Sequence, residues 1–305
     1  MRVVFFGTAE FAVPSLEAIA ESCILTVSQP DRPSGRGLEL KPSPVKLRAL
    51  ELGLPVATPD RARDHSFIEQ ISQLKPDFLL VAAYGQILPV ALLECGQHGG
   101  INLHGSILPK YRGAAPIQRC LINGEHETGV TLMQMEAGMD TGPIIAVERL
   151  TIDPDETYGE LQIRLSLLAA QMTTEWKDRL CTGDYPKEPQ NHDESSHAEK
   201  MTKGDATLNW QGSAQSEFNR FRGSTPSPGA VLPSTLGPIK LSQIRMAAGD
   251  GEPGEVLSLN PVKVAFREGA LELVEVQPSG RKRMSGHDFA NGARLTVGSN
   301  IAYNM

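Results

Sequence analysis

The chain has 305 residues, of which 40% are hydrophobic and 21% charged, and its formal net charge is −7. That length and apolar content suit two domains with real cores and exclude a disordered chain. The acidic balance argues against a protein that coats nucleic acid unspecifically, and no apolar run approaches the roughly 18 residues of a membrane helix, so no membrane partner is expected.

In chain order, the first candidate strand is VVFFG, in MRVVFFG, which lacks the longer apolar core and cleavage site of a signal peptide. ILTVS, FLLVAAYG and GINLHG follow. Continuous apolar runs bounded by turn residues suit strands covered on both faces. Between them lie segments of helical spacing: VPSLEAIAE, with Pro14 near its start, PVKLRALELG, closed by Gly53, and SFIEQISQL. A long helix fits residues 157–180. The alternation predicts an α/β catalytic domain over residues 1–182, a Rossmann-like, doubly wound, mostly parallel sheet.

Residues 183–205 are polar and short of aliphatics, and read as a surface linker. From residue 206 short β-type runs recur: GAVLP, IKLSQIRM, GEVLSL, VKVAF and ALELVEV. A short helix fits SAQSEFNRF. Residues 206–305 therefore read as a small OB-like β-barrel domain. They carry 10 Lys+Arg against 8 Asp+Glu, whereas residues 1–205 carry 19 against 28. A mildly basic end on an acidic chain hints at a polyanionic partner.

Several chemistries are set aside. Gly7 begins GTAEF without the further glycines of a dinucleotide fingerprint, so no NAD is expected. Cys23, Cys95, Cys120 and Cys181 show no zinc or redox spacing and read as reduced thiols of a cytoplasmic protein. His192 and His197 lie in the polar linker and read as solvated, so no metal is expected. The stretch QPDRPSGRGLELKPSP, residues 29–44, is either an ordinary surface loop or a mobile loop whose Arg32, Arg36 and Lys41 grip phosphate.

The stretch INLHGSILPKYRGAAP puts Asn102 and His104 two residues apart in a strand, so their side chains share a face. At the C-terminal end of a parallel strand that face looks into the ligand crevice. Ser106 to Pro109 form a turn, and Gly105 and Gly113 permit close backbone approaches. In GMDTGP, Asp140 is either a turn residue or a carboxylate that orients His104. An amide, an imidazole and a carboxylate suit acyl transfer to a substrate amine, with oxyanion stabilisation and proton transfer both provided for. On residue chemistry alone the reading stops at an acyl- or formyl-type transferase.

The blocks FFGTAEFAVPSLEAI, QPDRPSGRG, KPSPVK, INLHGSILPKYRGAAPIQR, ETGVTLMQM, GMDTGPI, AEKMTKGDATLNW and LVEVQPSGRKRMSGHDF resemble the methionyl-tRNA formyltransferase family, within the folate-dependent formyltransferases. The resemblance covers nearly the whole chain. It implies transfer of a formyl group from 10-formyltetrahydrofolate to the α-amino group of methionine on initiator tRNA, for translation initiation, by a monomer. By match, Asn102, His104 and Asp140 are the catalytic set. Ser106, Ile107, Leu108 and Pro109 match the folate-binding loop, and Gln86, Ile87 and Leu88 match the pterin pocket. Arg36 matches a basic residue of the loop inserted against the tRNA acceptor stem. The chain departs from the family at Leu38, Glu39 and Leu40, where relatives carry lysines, which moves weight onto Arg36 and Lys41. It departs again at FRGSTPSPGA, which lacks the family's tryptophan. Rival readings are a folate-dependent formyltransferase acting on an amino sugar nucleotide or glycinamide ribonucleotide, a 10-formyltetrahydrofolate hydrolase, and a catalytically inert RNA-binding protein.

Overall fold

The computed structural model describes residues 1–34 and 39–303. The chain folds as two compact units. The first comprises Met1–Pro116, Glu127–Thr151 and Gln162–Ala198; the second comprises Ile117–His126, Ile152–Leu161 and the chain from Glu199 onward.

The elements run β1 (Val3–Gly7), α1 (Val13–Ile19), β2 (Cys23–Val27), a hairpin of β3 (Arg32–Ser34) and β4 (Glu39–Lys41), α2 (Pro44–Glu51), β5 (Val56–Ala57), α3 (His65–Leu74), β6 (Phe78–Ala82), α4 (Val90–Leu93) and β7 (Gly100–His104). They continue with β8 (Arg112–Gly113), α5 (Pro116–Ile122), β9 (Glu127–Gln134), β10 (Ile144–Thr151), α6 (Tyr158–Thr182) and β11 (His197–Ala198). One seven-stranded sheet has the order β10-β9-β7-β6-β1-β2-β5. The pairs from β7 through β5 are parallel, and β9 and β10 add an antiparallel edge.

Every residue of β1, β6 and β7 is buried. The unbroken apolar runs therefore mark strands covered on both faces, as expected. On one face Val4, Phe6, Leu79 and Val81 pack with Phe67 and Ile71 of α3 and Leu92 and Leu93 of α4. Phe6 meets the Tyr84 ring edge-on at 5.3 Å. Helix α2 starts where its sequence says it should. Ser43 Oγ accepts the Lys46 amide at 3.0 Å, and Pro44 occupies the first turn, where its missing N–H costs nothing.

The second unit holds α7 (Ala214–Ser224), β12 (Val231–Leu232), β13 (Ile239–Ala247), β14 (Val256–Leu259), β15 (Val262–Ala265), β16 (Ala270–Pro278), β17 (Met284–Ser285) and α8 (Gly286–Gly292). Where a small OB-like β-barrel is expected, the strands form an antiparallel sheet of order β12-β13-β16-β15-β14, with β17 paired to β16. Its strands alternate buried and open positions, as one-faced sheets do. Trp210 stacks on Phe266 at 5.0 Å inside a core that includes Phe218, Phe221, Leu241, Leu273 and Phe289.

Candidate active site

Strand β7 ends at His104, and the chain turns at once, with the Ser106 amide donating to the His104 carbonyl at 2.9 Å. Two buried hydroxyls hold the turn. Ser106 Oγ donates to the Lys110 carbonyl at 2.7 Å. Thr131 Oγ1, from neighbouring β9, donates to the Ser106 carbonyl at 2.7 Å and accepts the Leu108 amide at 3.1 Å. Thr131 escaped the sequence reading because its apolar neighbours, GVTLM, mark only a strand; its register opposite His104 identifies its task.

Asn102 and His104 are 9% and 6% exposed, and Asp140 faces both. Asn102 Nδ2 lies 3.5 Å from Asp140 Oδ1, the long limit of a hydrogen bond. His104 Nδ1 lies 3.7 Å from Asp140 Oδ2. The other ring nitrogen, Nε2, is 2.9 Å from the Tyr111 carbonyl oxygen. A carbonyl only accepts, so Nε2 carries a proton and donates it to Tyr111, and Nδ1 is the nitrogen that faces Asp140.

Asp140 sits in the left-handed region, at φ +53°. Its Oδ2 accepts the Gly113 amide at 2.8 Å. Gly113 is required there: its φ is +115°, and a Cβ would stand 2.9 Å from the Ala198 carbonyl oxygen. The backbone carbonyls of Asp140 and Gly142 both accept Gln190 Nε2, at 2.9 and 2.7 Å. Arg112, buried beside Gly113, does not enter the crevice; its guanidinium donates to Gln190 Oε1 at 2.6 and 3.1 Å and lies 3.2 Å from His192 Nδ1.

Beyond β6, Gln86, Ile87 and Leu88 have different surroundings. Gln86 clamps the preceding loop, its Oε1 accepting the Ala62 amide at 2.9 Å. Ile87 is 81% exposed, and Leu88 is buried in the apolar core. In the Ser106–Pro109 turn, Ser106 and Leu108 are buried, while Ile107 and Pro109 remain partly open. Lys41 is exposed at the end of β4. Arg36 falls outside the described residues. Tyr84, near this sheet end, is no base: burial pushes its hydroxyl up to about 12. Burial also raises the Cys23 thiol, so this cysteine is no ready nucleophile. Among the described residues no cluster of His, Cys, Asp or Glu can hold a metal, and no helix is long and apolar enough to cross a membrane.

An amide, an imidazole and a carboxylate that converge at the end of β7 suit acyl transfer to an amine, and comparison with known families narrows that class to the formyl transferases. Residues 1–175 match the family described as "Formyl transferase", and residues 200–294 match "Formyl transferase, C-terminal domain". A methionyl-tRNA formyltransferase of Geobacter metallireducens is 42% identical over 308 residues, covering 99% of both chains. One from Sorangium cellulosum is 44% identical over 306 residues, covering 98% of both. The chain belongs to the methionyl-tRNA formyltransferase family.

Solved structures share the fold at lower identity. An N-formyltransferase from Helicobacter canadensis, in complex with folinic acid and dTDP-3-aminofucose, has a TM-score of 0.69 at 18% identity, over 90% of this chain and 98% of that one. HypX from Aquifex aeolicus, in complex with tetrahydrofolic acid, has a TM-score of 0.65 at 17% identity, over 100% of this chain and 51% of that one.

Proposed function

We propose that the chain moves the formyl group of 10-formyltetrahydrofolate onto the α-amino group of methionine carried by initiator tRNA, with Asn102, His104 and Asp140 at the reacting atoms. The observation that carries this is the convergence of those three side chains at the end of β7, in a chain 42% identical to a methionyl-tRNA formyltransferase along its length.

The free amine attacks the formyl carbon, forming the new C–N bond. His104 takes the amine's proton at Nδ1, because Nε2 is already committed to Tyr111. Nδ1 faces the Asp140 carboxylate at 3.7 Å. The carboxylate stabilises the imidazolium that carries the arriving proton. Asn102 Nδ2, held only at 3.5 Å by Asp140, keeps an N–H for the oxyanion, and the newly charged imidazole adds to that stabilisation. Collapse breaks the bond between the formyl carbon and N10, the proton passes from His104 to N10, and tetrahydrofolate leaves. No serine or cysteine nucleophile is needed.

Ser106 to Pro109, with Gln86 to Leu88, form the folate-binding rim on this reading, and Arg36 and Lys41 meet phosphates of the acceptor stem. The enzyme works as a monomer in the cytoplasm. The test is formylation of charged initiator tRNA, with 10-formyltetrahydrofolate omitted as control and an amino sugar nucleotide as the rival acceptor. Wild-type turnover by His104→Ala overturns the site; preference for the sugar nucleotide overturns the acceptor.

A further inference from the structure

Residues 183–198 have the composition of a surface linker, yet two of their side chains reach the framework of the site. Gln190 is 6% exposed. Its amide joins two segments, accepting from the Arg112 guanidinium of β8 and donating to the carbonyls of Asp140 and Gly142. Ser196 Oγ accepts the Tyr111 amide at 2.9 Å, and its carbonyl accepts the Arg112 amide at 2.8 Å.

The two residues so held are unusual in the same way. Tyr111 and Asp140 both have positive φ, at +60° and +53°. Side-chain-bearing residues persist there only when their surroundings over-determine them. These two also serve the two nitrogens of His104. Tyr111 offers its carbonyl to Nε2, and Asp140 offers its carboxylate to Nδ1. One strap of chain thus fixes both backbone positions between which the imidazole is held.

We propose that Gln190 is a positioning residue for formyl transfer, setting Asp140 against His104 through the Asp140 and Gly142 carbonyls while touching no substrate itself. The inference rests on His104 and Asp140 being the proton-handling pair. Gln190→Glu breaks the contact on the Asp140 side, replacing an N–H donor by an oxygen that the two carbonyls repel. A carboxylate still accepts from Arg112 but has no N–H for the two carbonyls, so the strap stays attached while the Asp140 turn loses its donor.

The test uses the full chain, charged initiator tRNA and 10-formyltetrahydrofolate, with steady-state kinetics beside thermal unfolding. A misplacement of about 1 Å remote from the chemistry costs on the order of 10²-fold. Gln190→Glu is therefore expected to lower kcat roughly 10- to 100-fold, with both KM values within about twofold of wild type. In a His104→Ala background the same change should cost less than about twofold, because residues acting as one unit are non-additive. Wild-type kcat in Gln190→Glu, a change confined to KM, or full additivity with His104→Ala overturns the proposal. Wild-type turnover by His104→Ala alone instead removes the reading beneath it, whatever Gln190→Glu does. Gln190→Ala serves as a second variant, and a loss matched by Gln190→Glu at unchanged melting temperature supports positioning over a purely structural role.

Discussion

Two loop carboxylates, one in each unit, are gripped by hydrogen bonds and differ in what faces them. Asp205 accepts Arg119 Nη1 at 2.9 Å and the Thr202 amide and hydroxyl at 2.8 and 2.7 Å. The Arg119 guanidinium, followed by Thr202, holds its carboxyl well below the usual carboxylate range. Asp140 has a backbone amide at 2.8 Å, a long contact to Asn102 and an imidazole at 3.7 Å. Among the described residues no lysine or arginine pairs with it. A carboxylate closed by a guanidinium contributes to stability and little else. One fixed by its backbone and left facing an imidazole keeps its charge available to a proton arriving on that ring.

The sharpest way to break this contrast is at Asp140, the carboxylate proposed to act in catalysis. Asp140→Asn keeps an acceptor for the Gly113 amide and removes the charge opposite His104. Its kcat should fall at least ~10²-fold, the lower range for lost acid–base assistance. Asn102→Ala removes the proposed oxyanion donor, and its kcat should fall by ~10²–10³-fold. Single-turnover formylation of charged tRNA reads both losses. Turnover near wild type in Asp140→Asn would place Asp140 alongside Asp205 as a structural carboxylate.

A smaller effect tests the backbone grip. Gly113→Ala forces a side chain into φ +115° and toward the Ala198 carbonyl. The Gly113 amide must shift, and Asp140 with it. The expected loss is roughly 10-fold in kcat, with a destabilisation of about 1–3 kcal/mol visible in chemical unfolding. Smaller again is Arg36→Ala, expected to raise KM for charged tRNA severalfold and to flatten its salt dependence by about one phosphate contact. Identical tRNA kinetics for this variant would remove the segment from the acceptor's binding surface.

The parts of this architecture written in local sequence were legible. Strands β1, β6 and β7 announced themselves because burial on both faces demands unbroken apolar runs. Asn102 and His104 followed from strand period and strand end. GMDTGP marked Asp140 as a turn carboxylate, but only the fold shows it turned toward His104. The strap was illegible for a physical reason. Gln190 and Ser196 act through hydrogen bonds to residues some 50 to 85 positions away, and such bonds leave no periodicity. The two-residue pair β8–β11 is too short to pattern, and β3 and β4 lie in a proline- and glycine-rich stretch that reads as loop. Family resemblance supplied the folate and tRNA roles that residue chemistry alone left open.

The smallest expected effect lies on the structural side. Asp205→Asn should leave kcat and KM at pH 7 unchanged and cost only stability. Because the folded carboxyl titrates below its unfolded value, its contribution is fully present above the ordinary carboxylate range and is lost as pH falls through that range toward the folded value. The full linkage energy does not apply. The two side chains keep 24% and 20% exposure, and solvent screening brings the expected cost to about 1–2 kcal/mol at neutral pH. Urea unfolding followed by Trp210 fluorescence in a Trp176→Phe background reports on the second unit, whose core holds Trp210. The midpoint difference between Asp205 and Asp205→Asn proteins should be largest at pH 7 and shrink steadily below pH ~4. A difference that stays constant with pH would mean that the Arg119 pair contributes packing rather than charge.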